Sequence, residues 1–202
     1  MQALALITNE QQQFSIEQVT LRDVGADEVL IRTAWSGVSI GTEFALIQDR
    51  ISWGPYPLCT GYMATGVVEA VGADIDDLQV GDRVYTRGNN TNAMALADGT
   101  PVSCVSGAHA SHILAQPHTT HGVAKLPDGV PMDVASMFVM PAVALYGVDM
   151  ANPRMGQSVV VFGTGLIGLG VVAACAHRGC EVIAVDLDAG RLAVAKAMGA
   201  DH

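Results

Sequence analysis

The chain has 202 residues with 20 acidic and 10 basic side chains, a formal net charge of −10, and half of its residues are apolar. That balance supports a sizeable core and argues against nucleic acid as a partner. No apolar run reaches the length of a membrane span, and residues 1–10 lack the basic start of a signal peptide, so a cytoplasmic protein without membrane insertion is expected.

Residues 2–7, 14–19 and 28–35 are short strand-like runs, and 61–71 is another that ends in a turn at 72–74. Residues 81–86 read as a turn followed by a strand, and 109–116 as a further strand. The four cysteines, Cys59, Cys104, Cys175 and Cys180, lack C-x-x-C spacing and read as reduced, buried thiols. After the turn at 127–131 the periodicity changes, and 132–150, rich in Ala, Met and Val, has helical spacing. The expected organisation is a β-rich domain over 1–130, a connecting helical segment over 131–156, and the start of an α/β domain over 157–202.

The most informative stretch is 158–188. Val159 to Phe162 is an apolar run suited to a buried parallel strand, and Gly163, Gly165 and Gly168 follow in G-x-G-x-x-G spacing. Gly163 permits a tight turn, Gly165 lets backbone approach a pyrophosphate, and Gly168 lets the helix pack closely on the strand. Thr164, Leu166 and Ile167 complete this loop, whose amides and helix dipole face the phosphates. The helix runs to about Arg178, Gly179 stops it, and 181–185 forms a second strand ending at Asp186. An acidic side chain there accepts hydrogen bonds from the adenosine ribose, about 20 residues after the glycine turn. It would repel a 2′-phosphate, so NAD is preferred to NADP. Arg191, one turn into the next helix, is placed against the adenine or ribose, where it would alternatively tolerate a 2′-phosphate. Asp188 is a candidate N-cap for a helix over 189–198, with Gly199 its stop.

A dinucleotide-binding sheet of this type has about six strands, and only two are read here. The chain is therefore expected to be part of a longer protein.

The order of several short motifs carries a family resemblance. Residues 28–32, the loop Ser36 to Glu43, Gly61 to Gly72, Gly81 to Val84, Gly107 to His112 and Leu126 to Gly129 together resemble the N-terminal part of a medium-chain dehydrogenase/reductase of the alcohol dehydrogenase superfamily. The resemblance covers essentially all of the chain. It implies a GroES-like β-barrel catalytic domain, then the first part of a Rossmann doubly wound sheet, with a substrate cleft between the two. A small-molecule alcohol or carbonyl substrate and a possible homo-oligomer of the full-length protein are further implications. Trp35, Trp53, Tyr56 and Met140 are candidates to line the cleft, with core packing as the equal alternative.

The zinc pattern of that family is absent. Its first ligand cysteine would precede Gly41-Thr42-Glu43, where Ile40 stands with Ser39 upstream. The Gly-His-Glu triplet is replaced by Gly61-Tyr62-Met63, and no cysteine lies near Met140. None of these is an ordinary Zn²⁺ ligand, and residues 86–107 hold only one cysteine, so neither catalytic nor structural zinc is expected. His109 and His112, three apart on a strand, face opposite ways, whereas His118 to His121 reads as a loop of open geometry; both pairs are surface or packing residues by default. Without zinc, hydroxyls must stabilise the reacting oxygen. Thr42 matches the family's proton-relay hydroxyl, Tyr62 takes the place of the ligand histidine, and Glu43 is the neighbouring acid that orients the loop. The loop Ser36 to Glu43 also resembles that of bacteriochlorophyllide a dehydrogenases, which oxidise a secondary alcohol with NAD. A zinc-free quinone or enone reductase, and a non-catalytic nucleotide- or partner-binding module, are the alternatives.

Overall fold

The computed structural model describes residues 1–48, 50, 54–89, 93–104 and 107–202. The chain divides into two compact units, Met1–Met137 and Phe138–His202.

The first unit is built from strands β1 (Gln2–Thr8), β2 (Phe14–Leu21), β3 (Val29–Ser36), β4 (Leu58–Cys59), β5 (Ala64–Val71), β6 (Arg83–Thr86), β7 (Met94–Leu96), β8 (Pro101–Val102), β9 (His112–Ala115) and β10 (Val123–Lys125). Two short helices, α1 (Ile40–Ile47) and α2 (Met132–Ala135), accompany them. The strands form two five-stranded sheets, ordered β4-β1-β2-β7-β8 and β10-β6-β5-β3-β9, and a bridge between Ala5 and Ala110 joins β1 to the segment before β9. The result is a near-closed, barrel-like GroES-like unit.

Side-chain alternation explains how the sheets close on each other. In β1, Ala3, Ala5 and Ile7 enter one core cluster while Gln2 and Leu4 face outward. The first three residues of β3, an interior strand of its sheet, are buried on both faces. Leu30 joins the cluster containing Val19, Leu21 and Leu114, whereas Val29 and Ile31 join the one containing Val68, Val84 and Ile113. Such two-sided burial accounts for the apolar run Val29-Leu30-Ile31 in this strand.

The second unit contains α3 (Val139–Ala151), β11 (Ser158–Phe162), α4 (Leu166–His177), β12 (Glu181–Val185) and α5 (Ala189–Ala197). β11 and β12 pair in parallel, with Ser158 opposite Glu181 and Phe162 opposite Val185. Val148, Val161, Val172, Cys175, Val182 and Ala195 form its core. All four cysteines are buried thiols, with no disulfide between them.

Three sequence expectations are corrected here. Residues 132–150 do not form one helical run: α2 ends at Ala135 within the first unit, and α3 packs on α4 within the second. Residues 36–43, read as a loop, contain the start of α1. The strand expected over 109–116 begins only at His112.

Ile31 is fully buried, so Ile31→Ala should lower unfolding free energy by about 2–5 kcal/mol in chemical denaturation. Val80→Ala, at a 65% exposed position, should change it by less than about 0.5 kcal/mol.

Candidate functional site

In the second unit the strand β11 delivers the chain into the glycine turn. Gly163 has φ +84°, in the left-handed region, and its N–H donates to the Val185 carbonyl at 2.8 Å. Gly165 takes the N-cap position of α4 in extended conformation. A Cβ on Gly168 would lie 1.9 Å from the Gly163 carbonyl oxygen, so only glycine allows the helix to seat this close to the turn. The side chains of Leu166 and Ile167 are exposed, and their amides lie in the first helical turn, where they have no intrahelical acceptor.

Asp186 stands at the end of β12. Its Oδ2 accepts from the Thr164 N–H at 2.6 Å and the Thr164 hydroxyl at 2.9 Å, and its Oδ1 accepts from the Asp188 N–H at 3.0 Å. The Thr164 amide, then the Asp188 amide and the Thr164 hydroxyl, hold its pKa down to about 2. A carboxylate offers about four lone-pair positions. Three are taken, which leaves room for one further hydroxyl on Oδ1. Thr164, expected among the cofactor-binding residues, is buried with its hydroxyl turned to Asp186, so it acts through that carboxylate. Asp188 caps α5 by accepting from the Gly190 and Arg191 amides. An open cavity of about 820 Å³ is bordered by Phe162, Gly163, Val185, Asp186, Leu187 and Arg191. Its volume lies in the range of small-molecule sites.

In the first unit, β3 ends at Ser36 and Ser39 takes the N-cap position of α1. Thr42 is half-buried and Glu43 buried on the first turns of that helix. Glu43 Oε1 accepts from the Ser39 N–H at 2.8 Å, so the carboxylate closes the start of its own helix. Glu43 Oε2 lies 2.9 Å from His109 Nε2, and His109 Nδ1 lies 2.9 Å from Ser36 Oγ. Neither Ser36 nor His109 was among the expected catalytic residues. The sequence holds one signal for His109: it follows Gly107-Ala108 in a motif already singled out, and precedes the strand rather than lying on it.

Tyr62 is buried, with the Arg87 guanidinium 5.2 Å from its ring centroid and Arg87 Nε donating to its carbonyl oxygen at 3.0 Å. This cation–π contact fixes the ring. Trp35 is exposed, Tyr56 donates its hydroxyl to the Ile47 carbonyl at 3.1 Å, Met140 is buried in α3, and Trp53 lies outside the described residues.

The donor set does not fit a zinc ion. Ile40 and Tyr62 stand where the family's ligand cysteine and histidine would be in this unit, with Ser39 and Met63 beside them, and the side chain of Ile40 points to solvent. Burial pushes the Cys59 thiol well above its ordinary range. Among the described residues, no three of His, Cys, Asp and Glu converge as a metal site. The histidine pairs separate: His109 meets Glu43, His112 lies 3.3 Å from Glu69, and His118 lies 3.4 Å from Asp77.

Because the folded Asp186 carboxyl lies below the ordinary value of about 3.9, it contributes stability that is complete above pH ~4. That contribution should fade as pH falls toward about 2. A ¹³C NMR titration of Asp186 should show a midpoint near 2, and a midpoint near the ordinary ~3.9 would contradict the three bonds.

Comparison with known proteins agrees with this fold. Residues 25–128 match the alcohol dehydrogenase GroES-like domain. Sorbitol dehydrogenase of Bacillus subtilis is 27% identical over 98% of this chain and 60% of its own length. L-threonine 3-dehydrogenase of Chelativorans is 29% identical over 93% and 57%. The solved structure of an alcohol dehydrogenase zinc-binding domain protein from Burkholderia ambifaria superimposes with a TM-score of 0.86 at 26% identity, covering 100% of this chain and 63% of that one. The chain thus spans about six tenths of the length of these curated relatives. It belongs to the alcohol dehydrogenase-like oxidoreductase family, whose mark is the GroES-like domain.

Proposed function

We propose that the whole protein is an NAD-dependent oxidoreductase that interconverts a secondary alcohol and its ketone without catalytic zinc. The carboxylate of Asp186 carries the choice of dinucleotide. It sits beside the glycine turn with one acceptor position free, suited to a ribose hydroxyl and hostile to a 2′-phosphate. Gly163, Gly165 and Gly168, with the first-turn amides of Leu166 and Ile167, would receive the pyrophosphate. Arg191, on the wall of the same cavity, would lie against the adenosine. When bound, the nicotinamide supplies the hydride acceptor or donor.

The side chains of the first unit would do the rest. Thr42 and Tyr62 offer hydroxyls to the reacting oxygen, and Glu43 holds the first turn of α1 in place through Ser39. The absence of thiolate and imidazole donors at the family's ligand positions supports a reaction that relies on these hydroxyls. Sorbitol and L-threonine dehydrogenases among the relatives favour a small alcohol as substrate class.

The test is turnover of the whole protein with NAD and a panel of secondary alcohols, before and after treatment with a strong chelator. The reading predicts NADH formation that the chelator leaves unchanged, and loss of most turnover in Tyr62→Phe. Activity abolished by the chelator and restored by Zn²⁺ would contradict it.

A further inference from the structure

We propose that Ser36, His109 and Glu43 form a hydrolytic site within the first unit, with Ser36 as the nucleophile toward a small carboxylic ester. The site needs no dinucleotide, so the inference stands apart from the oxidoreductase reading above. Three separate pieces of chain bring the groups together: the end of β3, the first turn of α1, and the segment before β9. Ser36 Oγ lies 2.9 Å from His109 Nδ1, and His109 Nε2 lies 2.9 Å from Glu43 Oε2. A hydroxyl, an imidazole base and a carboxylate that orients the base are the three parts of a serine hydrolase, which is recognised by geometry and roles rather than by order in the chain.

Hydrogen-bond accounting assigns the roles. A carboxylate can only accept, and Glu43 already accepts from the Ser39 N–H on its other oxygen. The His109 Nε2 therefore donates to Glu43. In the neutral imidazole Nδ1 is then the acceptor, and the Ser36 hydroxyl donates to it. That leaves Nδ1 as the base for Ser36 and makes Glu43 the positioning residue behind it. The ring is held in place from its backbone outward. The His109 N–H donates to the Thr60 carbonyl at 3.0 Å, and the His109 carbonyl accepts from the Leu6 N–H at 2.8 Å. Gly61, at φ +87°, lies against the ring so closely that a Cβ there would come within 2.8 Å of it. The side chains of His109 and Glu43 are each only 8% exposed.

Ser36 is different: it is exposed. Together with His109 it borders an open cavity of about 430 Å³ whose other walls include Leu4, Leu6, Ile16 and Val38. Among the described residues that line it, none carries a fixed charge, which favours a neutral ester with a short apolar acyl chain. Ser36 Oγ attacks the ester carbonyl carbon as its proton passes to His109 Nδ1, and the Glu43 carboxylate holds the resulting imidazolium. Collapse of the tetrahedral adduct breaks the bond to the alcohol oxygen, which leaves with the proton from Nδ1. Water then attacks the acyl group on Ser36 and gives a proton to Nδ1. The second collapse releases the carboxylic acid as that proton returns to Ser36 Oγ. One ester and one water are consumed, and one acid and one alcohol are formed.

The test uses the whole protein with 4-nitrophenyl butyrate and no nicotinamide. The site predicts hydrolysis above the buffer rate that falls to the buffer rate in Ser36→Ala. In His109→Gln it should fall by about 10²-fold, because the amide can donate to Glu43 and accept from Ser36 but cannot take up a further proton. His112→Gln should match the wild type. A fluorophosphonate probe, which reacts with an activated serine, should label the wild-type peptide that holds Ser36, a readout independent of how any variant folds. The role of Glu43 is read by ¹⁵N NMR of the imidazole: the proton should reside on Nε2 in the wild type and on Nδ1 in Glu43→Gln, whose amide donates toward Nε2. Wild-type hydrolysis no faster than buffer, full hydrolysis in Ser36→Ala, or labelling at another residue would each overturn the proposal. NAD-linked turnover without ester hydrolysis contradicts this site alone, and ester hydrolysis without NAD-linked turnover contradicts the oxidoreductase reading alone.

Discussion

The hydrogen bond from the Thr164 amide to Asp186 ties the glycine turn to the end of the neighbouring strand. It is short, at 2.6 Å, and charge-assisted, and the Thr164 hydroxyl reinforces it. The Gly163 amide bond to the Val185 carbonyl is a further tie that holds the turn between β11 and α4 against β12. The Thr164 contact lowers the affinity of Asp186 for protons and so keeps a negative charge at the mouth of the cavity. In the proposed reading, structure and dinucleotide specificity share one carboxylate. Its third bond, from the Asp188 amide, carries the constraint into the start of α5, where Asp188 caps the helix in turn.

The first unit uses the same chemistry at a second place. Glu43 is buried and engaged on both oxygens, by a backbone amide on one side and an imidazole on the other. A buried carboxylate is costly unless it is fully hydrogen-bonded, and here the partners that satisfy it are also the ones that organise the loop. Ser39 lies at the start of α1, and His109 is anchored by backbone bonds to Thr60 and Leu6. The GroES-like barrel therefore positions the polar groups by its strand ends, while its core of Val29, Ile31, Val68 and Ile113 makes those ends rigid.

Much of the second unit was legible because local rules decide it. Glycine spacing, an apolar five-residue strand, a stop at Gly179 and an acid at Asp186 each have a short-range physical reason, and β11, α4 and β12 lie close to where those signals place them. The first unit was harder. Strands as short as β4 and β8, of two residues each, leave no periodicity to read. α1 escaped notice because a Ser-to-Glu separation of four residues departs from the usual capping spacing of three. The pairing of His109 with Glu43 spans 66 residues and depends on barrel closure, which no local pattern encodes. Thr164 illustrates a subtler limit: the motif marks its position, while only the fold shows that its hydroxyl serves Asp186 rather than a ligand.

The proposed NAD preference turns on Asp186 as the group that would select the dinucleotide. The most direct measurement is a calorimetric titration of the whole protein with NAD and with NADP under one set of conditions. Repulsion of the 2′-phosphate by the carboxylate predicts that NAD binds at least about tenfold more tightly, a difference of about 1.4 kcal/mol. NADP binding as tight as NAD, or tighter, would contradict the role assigned to that carboxylate.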